Sequence, residues 1–174
     1  MNRVVALVAV GLLIGCSRSP APPGTRPGSG LTHGAVESSF KCTAKVTFHA
    51  ATNTTYVSVT ELQGTVDGAE VVVPGMFVVA GRPAVKSYSM TDPFVRGSLV
   101  GIRGKNGVTL VAGKNLTTGE VHGRVTLKLV ELAEVPGAEL QEDQMFLARG
   151  EIEADLSTPL SSPAGGAVHM TVSF

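Results

Sequence analysis

The feature that most limits what this chain can become is a strict two-residue alternation beginning at Phe40. Phe40, Cys42, Ala44, Val46 and Phe48 are apolar, and Lys41, Thr43, Lys45, Thr47 and His49 between them are polar. A period of two places one set on a buried face and the other in water, which is the signature of a β-strand in a sheet covered on one side. Ala51 to Thr54 turns the chain and Tyr56 to Leu62 reads as a second strand. Asp67-Gly68 and Asn106-Gly107 are hairpin dipeptides. Val71 to Val73 follows the first, and Leu99 to Ile102 and Val108 to Val111 flank the second. Farther on, Val121, Val125, Leu127 and Leu129 oppose His122, Arg124, Thr126 and Lys128, and Ile152, Ala154 and Leu156 oppose Glu151, Glu153 and Asp155. Val168, Met170, Val172 and Phe174 form a last apolar face. Only Gly137 to Leu147, with Glu139, Leu140, Gln141, Glu142 and Gln144 after Pro136, carries residues suited to a helical turn or two. With 21 glycines and no tryptophan, the expected fold is all-β: an antiparallel sandwich or a small β-barrel of about eight to ten strands.

The amino terminus is of another kind. Met1, Asn2 and Arg3 precede an unbroken run of apolar residues and glycine from Val4 to Ile14. That run is shorter than the roughly 20 residues a membrane-spanning helix needs, and it matches the charged start and short apolar stretch of a secretory signal. An ordinary signal or a tethered helix is compatible with this pattern. Leu13-Ile14-Gly15-Cys16, at the end of the run, resembles the lipobox of bacterial lipoproteins. The resemblance implies cleavage between Gly15 and Cys16 and lipidation of Cys16, and hence attachment to a membrane of the cell envelope. Each buried methylene contributes about 0.8 kcal/mol and one acyl chain binds only marginally, so the two or three chains implied would hold the protein durably. In a Gram-negative host, Ser17 after the cysteine favours the outer membrane.

Ser17 to about Glu37 is Ser, Pro, Gly, Arg and Thr with hardly an apolar side chain, including Pro20, Pro22, Pro23, Gly24, Pro27, Gly28 and Gly30. Such a composition buries too little to fold by itself. The expected organisation is therefore a signal peptide at 1–15, a lipidated Cys16 with a disordered tether at 16–36, and one β domain at 37–174.

Fourteen Lys plus Arg balance fourteen Asp plus Glu, so no field gathers nucleic acid or an acidic surface. With Cys16 lipidated, Cys42 is left without an intramolecular partner and stands on an apolar face, where it serves as a small hydrophobe. His33, His49, His122 and His169 show no metal-ligand spacing. Glu139, Glu142 and Asp143 lack calcium-loop spacing. Ser38-Ser39-Phe40-Lys41 repeats the Ser-x-x-Lys string of penicillin-binding enzymes but opens a strand and lacks their further motifs. Gly101 to Asn106 is glycine-rich and basic without the hydroxyl of a phosphate loop. Val168 to Phe174 resembles the last strand of an outer-membrane barrel, yet aromatic girdles are missing from the strands, and a final core strand is the expectation. Pairing Val121 to Leu132 with Phe146 to Leu156 about a loop near Ala138 sets Arg124 opposite Glu153 and His122 near Asp155, a charge ladder of the kind that fixes register.

No catalytic residue, metal site or cofactor is expected. The leading expectation is a non-enzymatic binding or structural module for another envelope component. A carrier of a hydrophobic ligand is the first alternative, with Phe40, Val46, Phe48, Val125 and Leu127 lining a cavity. An enzyme is the second.

Overall fold

The computed structural model describes residues 23–61, 65–66, 69–70, 75–103, 109–137, 143–157 and 167–174. The signal segment, Gly15, Cys16, Asp67-Gly68, Val71 to Val73, Asn106-Gly107, Glu139 and Glu142 lie outside them. The described residues form thirteen strands and no helix. These are β1 (Thr25–Gly34), β2 (Ser38–His49), β3 (Thr54–Glu61), β4 (Thr65–Val66), β5 (Ala69–Glu70), β6 (Gly75–Ala80) and β7 (Ser87–Ser89), followed by β8 (Val95–Arg103), β9 (Thr109–Lys114), β10 (Val121–His122), β11 (Arg124–Glu134), β12 (Asp143–Leu156) and β13 (Val168–Ser173). The all-β expectation holds. Nine strands run six residues or more, and the surplus over the expected number is made of two- and three-residue pieces.

Eleven strands form one antiparallel sheet in the order β10-β9-β8-β6-β3-β2-β1-β13-β12-β11-β7, and β4 pairs with β5 alone. One edge of β2 pairs with β1 over Ser38 to Lys45 and then with β12 over Val46 to His49. The same long β12 pairs with β13 over Glu151 to Leu156. The double engagement closes β1, β2, β12 and β13 into a small four-stranded barrel, from which the other strands extend. At the far side, Val111 of β9 bridges Ser157 at the end of β12. Closure of this kind removes sheet edges that would otherwise template aggregation.

The alternations read from the sequence supply the core. Phe40, Cys42, Ala44, Val46 and Phe48 of β2, Val125, Leu127 and Leu129 of β11, Ile152, Ala154 and Leu156 of β12, and Val168, Met170, Val172 and Phe174 all join one buried cluster. Every second side chain points the same way, so each strand needs only its own period to find the interior.

Four expectations are corrected. Thr25 to Gly34, assigned to the tether, is strand β1, paired with β2 on one side and β13 on the other. The domain therefore begins well before Glu37. Its glycines are structural: a Cβ at Gly30 would overlap the Phe40 ring, and one at Gly28 would press on Phe174 and the Cys42 sulfur. Glycine in a strand then marks close approach by a neighbour, not slack. Asp143 to Leu147, assigned to a helical turn, opens β12, where Asp143 to Phe146 pair with His49 to Val46. A ladder available on β2 outweighs a few tenths of a kcal/mol of helix preference.

The β11–β12 register is also displaced by two residues. Arg124 faces Asp155, Lys128 faces Glu151 and, beyond an irregularity between Leu129 and Glu131, Glu131 faces Arg149. A shift of two keeps every side chain on its face, so opposite charges still meet. Val121 does not share the buried face of Val125. Gly123 adopts φ +65° between them, and Val121 lies 44% exposed on β10, paired with Lys114.

Candidate functional site

Antiparallel register places partners on one face of a sheet, and two rows of partners define the outer face of β3, β6, β8, β9 and β10. Ser58, Met76, Leu99, Gly113 and His122 form the first, and Tyr56, Val78 and Gly97 the second. This face is apolar where an outward face is usually polar. Met76 and Leu99 are 41% and 47% exposed, and with Val78, Val111 and Leu116 they line an open groove of about 550 Å³.

Glycine makes the groove. Gly97 lies beneath Leu116, whose Cδ1 would be 3.0 Å from a Cβ there, and Gly113 lies against the backbone of Ser98. The wall at Leu116 is held by a turn in which Asn115 Oδ1 accepts hydrogen bonds from the amides of Thr117 (2.8 Å) and Thr118 (3.0 Å). Leu116 is thus fixed over Gly97 while remaining 59% exposed. At the rim, Lys114 Nζ donates to the Val95 carbonyl at 2.7 Å, which spends one of its three donors on the scaffold. Glu120 and His122 complete the polar border. Clustered exposed apolar side chains with a polar rim are the common form of an interaction surface.

His122 Nε2 lies 3.1 Å from Ser157 Oγ and 3.4 Å from the Ser157 carbonyl. A serine within reach of an imidazole has the first contact of a nucleophile and base. Among the described residues no third group orients the ring, and a proton on Nε2 would be donated to the serine instead of accepting from it. The contact fits a lock on the β9–β12 bridge, because Ser157 and Val111 exchange both backbone hydrogen bonds there. His122 was expected near Asp155; the displaced register gives Asp155 to Arg124 and His169 instead.

Asp155 accepts from Arg124 Nε at 2.9 Å, and its Oδ1 lies 2.8 Å from His169 Nδ1. The His169 hydrogen bond, helped by the charge and hydrogen bond of Arg124, holds the carboxyl below its ordinary value of 3.8 and outweighs the desolvation that pushes it up. A carboxyl depressed on folding stabilises fully above that ordinary value, and the contribution is lost as pH falls through the lower folded value. Asp155→Asn should therefore flatten the fall of stability on acidification below pH 4, measured by urea melts across that range. With the side chain 45% exposed, screening keeps the neutral-pH effect under about 1 kcal/mol. His49 and Asp143, register partners on β2 and β12, are also in contact.

Cys42 is fully buried and desolvation pushes its thiol up to about 11, so it stays neutral and packs as a hydrophobe. Phe40, Val46, Phe48, Val125 and Leu127, the expected cavity lining, are buried in the core cluster at 9% exposure or less, and none borders the groove. Among the described residues no three His, Cys, Asp or Glu side chains are placed to hold a metal ion. The apolar run Leu99 to Ile102, read only as a hairpin flank, does not by itself reveal the groove. Leu99-Val100 is an adjacent apolar pair, and in a strand one of two neighbours must face outward. Comparison with models of protein families, with curated proteins and with solved structures found no match.

Proposed function

We propose that this protein is a lipid-anchored β domain of the cell envelope, held by Cys16 and acting without catalysis as a binding module. Its working surface is the groove between Met76, Leu99 and Leu116, and its partner is an apolar segment of another envelope component. The observation that carries this reading is the position of the cavity: the apolar space opens on the outside of the sheet, while the interior is filled by interlocking side chains. The lipobox resemblance at Leu13-Ile14-Gly15-Cys16 supports the address, which in a Gram-negative host is the outer membrane. The volume also suits a small hydrophobic ligand, so a carrier using the outer groove is the second reading.

A photoreactive residue placed at Leu99 in the full-length protein in intact cells is expected to give one discrete protein adduct. The same group at Val130, 55% exposed on β11, should give none. A lipid adduct at Leu99 would favour the carrier, and equal labelling at both positions would overturn the groove as a specific surface. In the same cells, Cys16→Ser should abolish fatty-acid labelling and release the chain from the membrane fraction; unchanged labelling would refute the anchor.

A further inference from the structure

β1 is held in an unusual way. It lies between β2 and β13 with backbone ladders on both edges, yet its side chains contribute little to the core. Pro27, Ser29, Leu31 and His33 face outward, Leu31 being 48% exposed. The inward positions are Gly28, Gly30 and Thr32. Thr32 is buried and its hydroxyl has no partner among the described residues, nor has that of Ser38, its register partner on β2. Buried hydroxyls without partners weaken the seat they occupy.

The space beneath the two glycines belongs to other strands. The Phe40 ring lies under Gly30, and a Cβ at Gly28 would meet first the Ser173 carbonyl oxygen of β13 and then Phe174 and the Cys42 sulfur. The slot between β2 and β13 therefore offers backbone ladders on both edges, but its β13 wall and its floor together admit a strand only if glycine occupies two alternate inward positions. Strand addition derives affinity from the main chain and selectivity from alternate side-chain sites. Gly28 and Gly30 are the only glycines two residues apart in this sequence. The occupant that satisfies the slot is thus β1 itself, whether from the same chain or from a second copy.

We propose that β1 is an exchangeable strand and that the slot between β2 and β13 accepts β1 of a second copy, joining copies by reciprocal swapping. The connection favours this. Only Ala35, Val36 and Glu37 link β1 to β2, and Gly34 before them is held at φ +113°, a conformation released when the hinge extends. Exchange of identical elements across short hinges is a low-cost route to dimers. The slot chemistry is independent of the groove and of the anchor; lipidation at Cys16 would only confine the copies to one surface.

Ser29 and Ser173 are exposed register partners on β1 and β13, at a separation a disulfide can bridge. In the full chain carrying Cys16→Ser, a single-chain Ser29→Cys/Ser173→Cys variant should oxidise internally. Mixing a Ser29→Cys copy with a Ser173→Cys copy should yield a disulfide between chains. An excess of synthetic peptide spanning residues 23–34 should suppress that product at least tenfold, and the Gly30→Val peptide should leave it unchanged. Internal oxidation without any product between chains would overturn the exchange. Failure of internal oxidation would refute the register on which it rests, and equal competition by both peptides would refute the glycine requirement.

Discussion

A chain that begins at Glu37, where the alternating pattern would start the domain, is expected to lose cooperative folding, whereas one that begins at Pro23 should keep it. Without β1 the edge of β2 from Ser38 to Lys45 and that of β13 from Val168 to Ser173 lose their ladders. The Phe40 and Phe174 rings, 4% and 8% exposed in the intact domain, would lose the backbone that covers them. Uncovering an aromatic ring costs roughly 1.5–3 kcal/mol, and two such rings with two open strand edges remove about 5 kcal/mol. That approaches the whole stability of an ordinary domain. Circular dichroism and urea melts of the two chains decide the matter. Melts agreeing within about 1 kcal/mol would return Thr25 to Gly34 to the tether. The requirement is for a filled slot, which a second copy's β1 also meets, so a swapped dimer of the longer chain should melt like its monomer.

The same strand shows where sequence reading stops. The period of Phe40 to Phe48 or Val168 to Phe174 is a local property, and each strand declares its own buried face. β1 does not, because Gly28 and Gly30 are required by Phe40 and Cys42 on the paired strand β2 and by Ser173 and Phe174 at the far end of the sequence. Read alone, Pro27-Gly28-Ser29-Gly30 has the composition of a linker. Register fails for a different reason: Arg124 meets a carboxylate in either alignment, Glu153 or Asp155, and the irregularity after Leu129 that brings Glu131 to Arg149 has no local signal. The groove is hidden differently. Its walls come from β6, β8, β9 and the turn after β9, and no period within one strand indicates that Met76 and Leu99 are neighbours.

Leu127→Ala is expected to destabilise the domain by about 2–5 kcal/mol, while Leu99→Ala should change stability by less than about 1 kcal/mol. Leu127 is fully buried, pairs with Ile152 and Tyr88 on the strands to either side, and sits in the same cluster as Val46, Phe48 and Val125. Truncating a side chain in such a cluster removes its transfer free energy and leaves a cavity that the neighbouring strands fill only in part. Leu99 is half in water already, so its loss uncovers little. The contrast separates the two positions by function as well. If Leu127 lined a ligand cavity in the barrel, its truncation would alter ligand capture and cost little stability. If it belongs to a filled core, its truncation is a stability mutation and binding follows only through unfolding. Thermal melts of the two variants, combined with Leu99 photolabelling in the Leu127→Ala background at a temperature where that variant remains folded, distinguish these cases. The filled core predicts a lower melting temperature with labelling at Leu99 intact, because the groove opens on the opposite side of the sheet from the Leu127 cluster. Loss of labelling without loss of stability would move the binding site indoors.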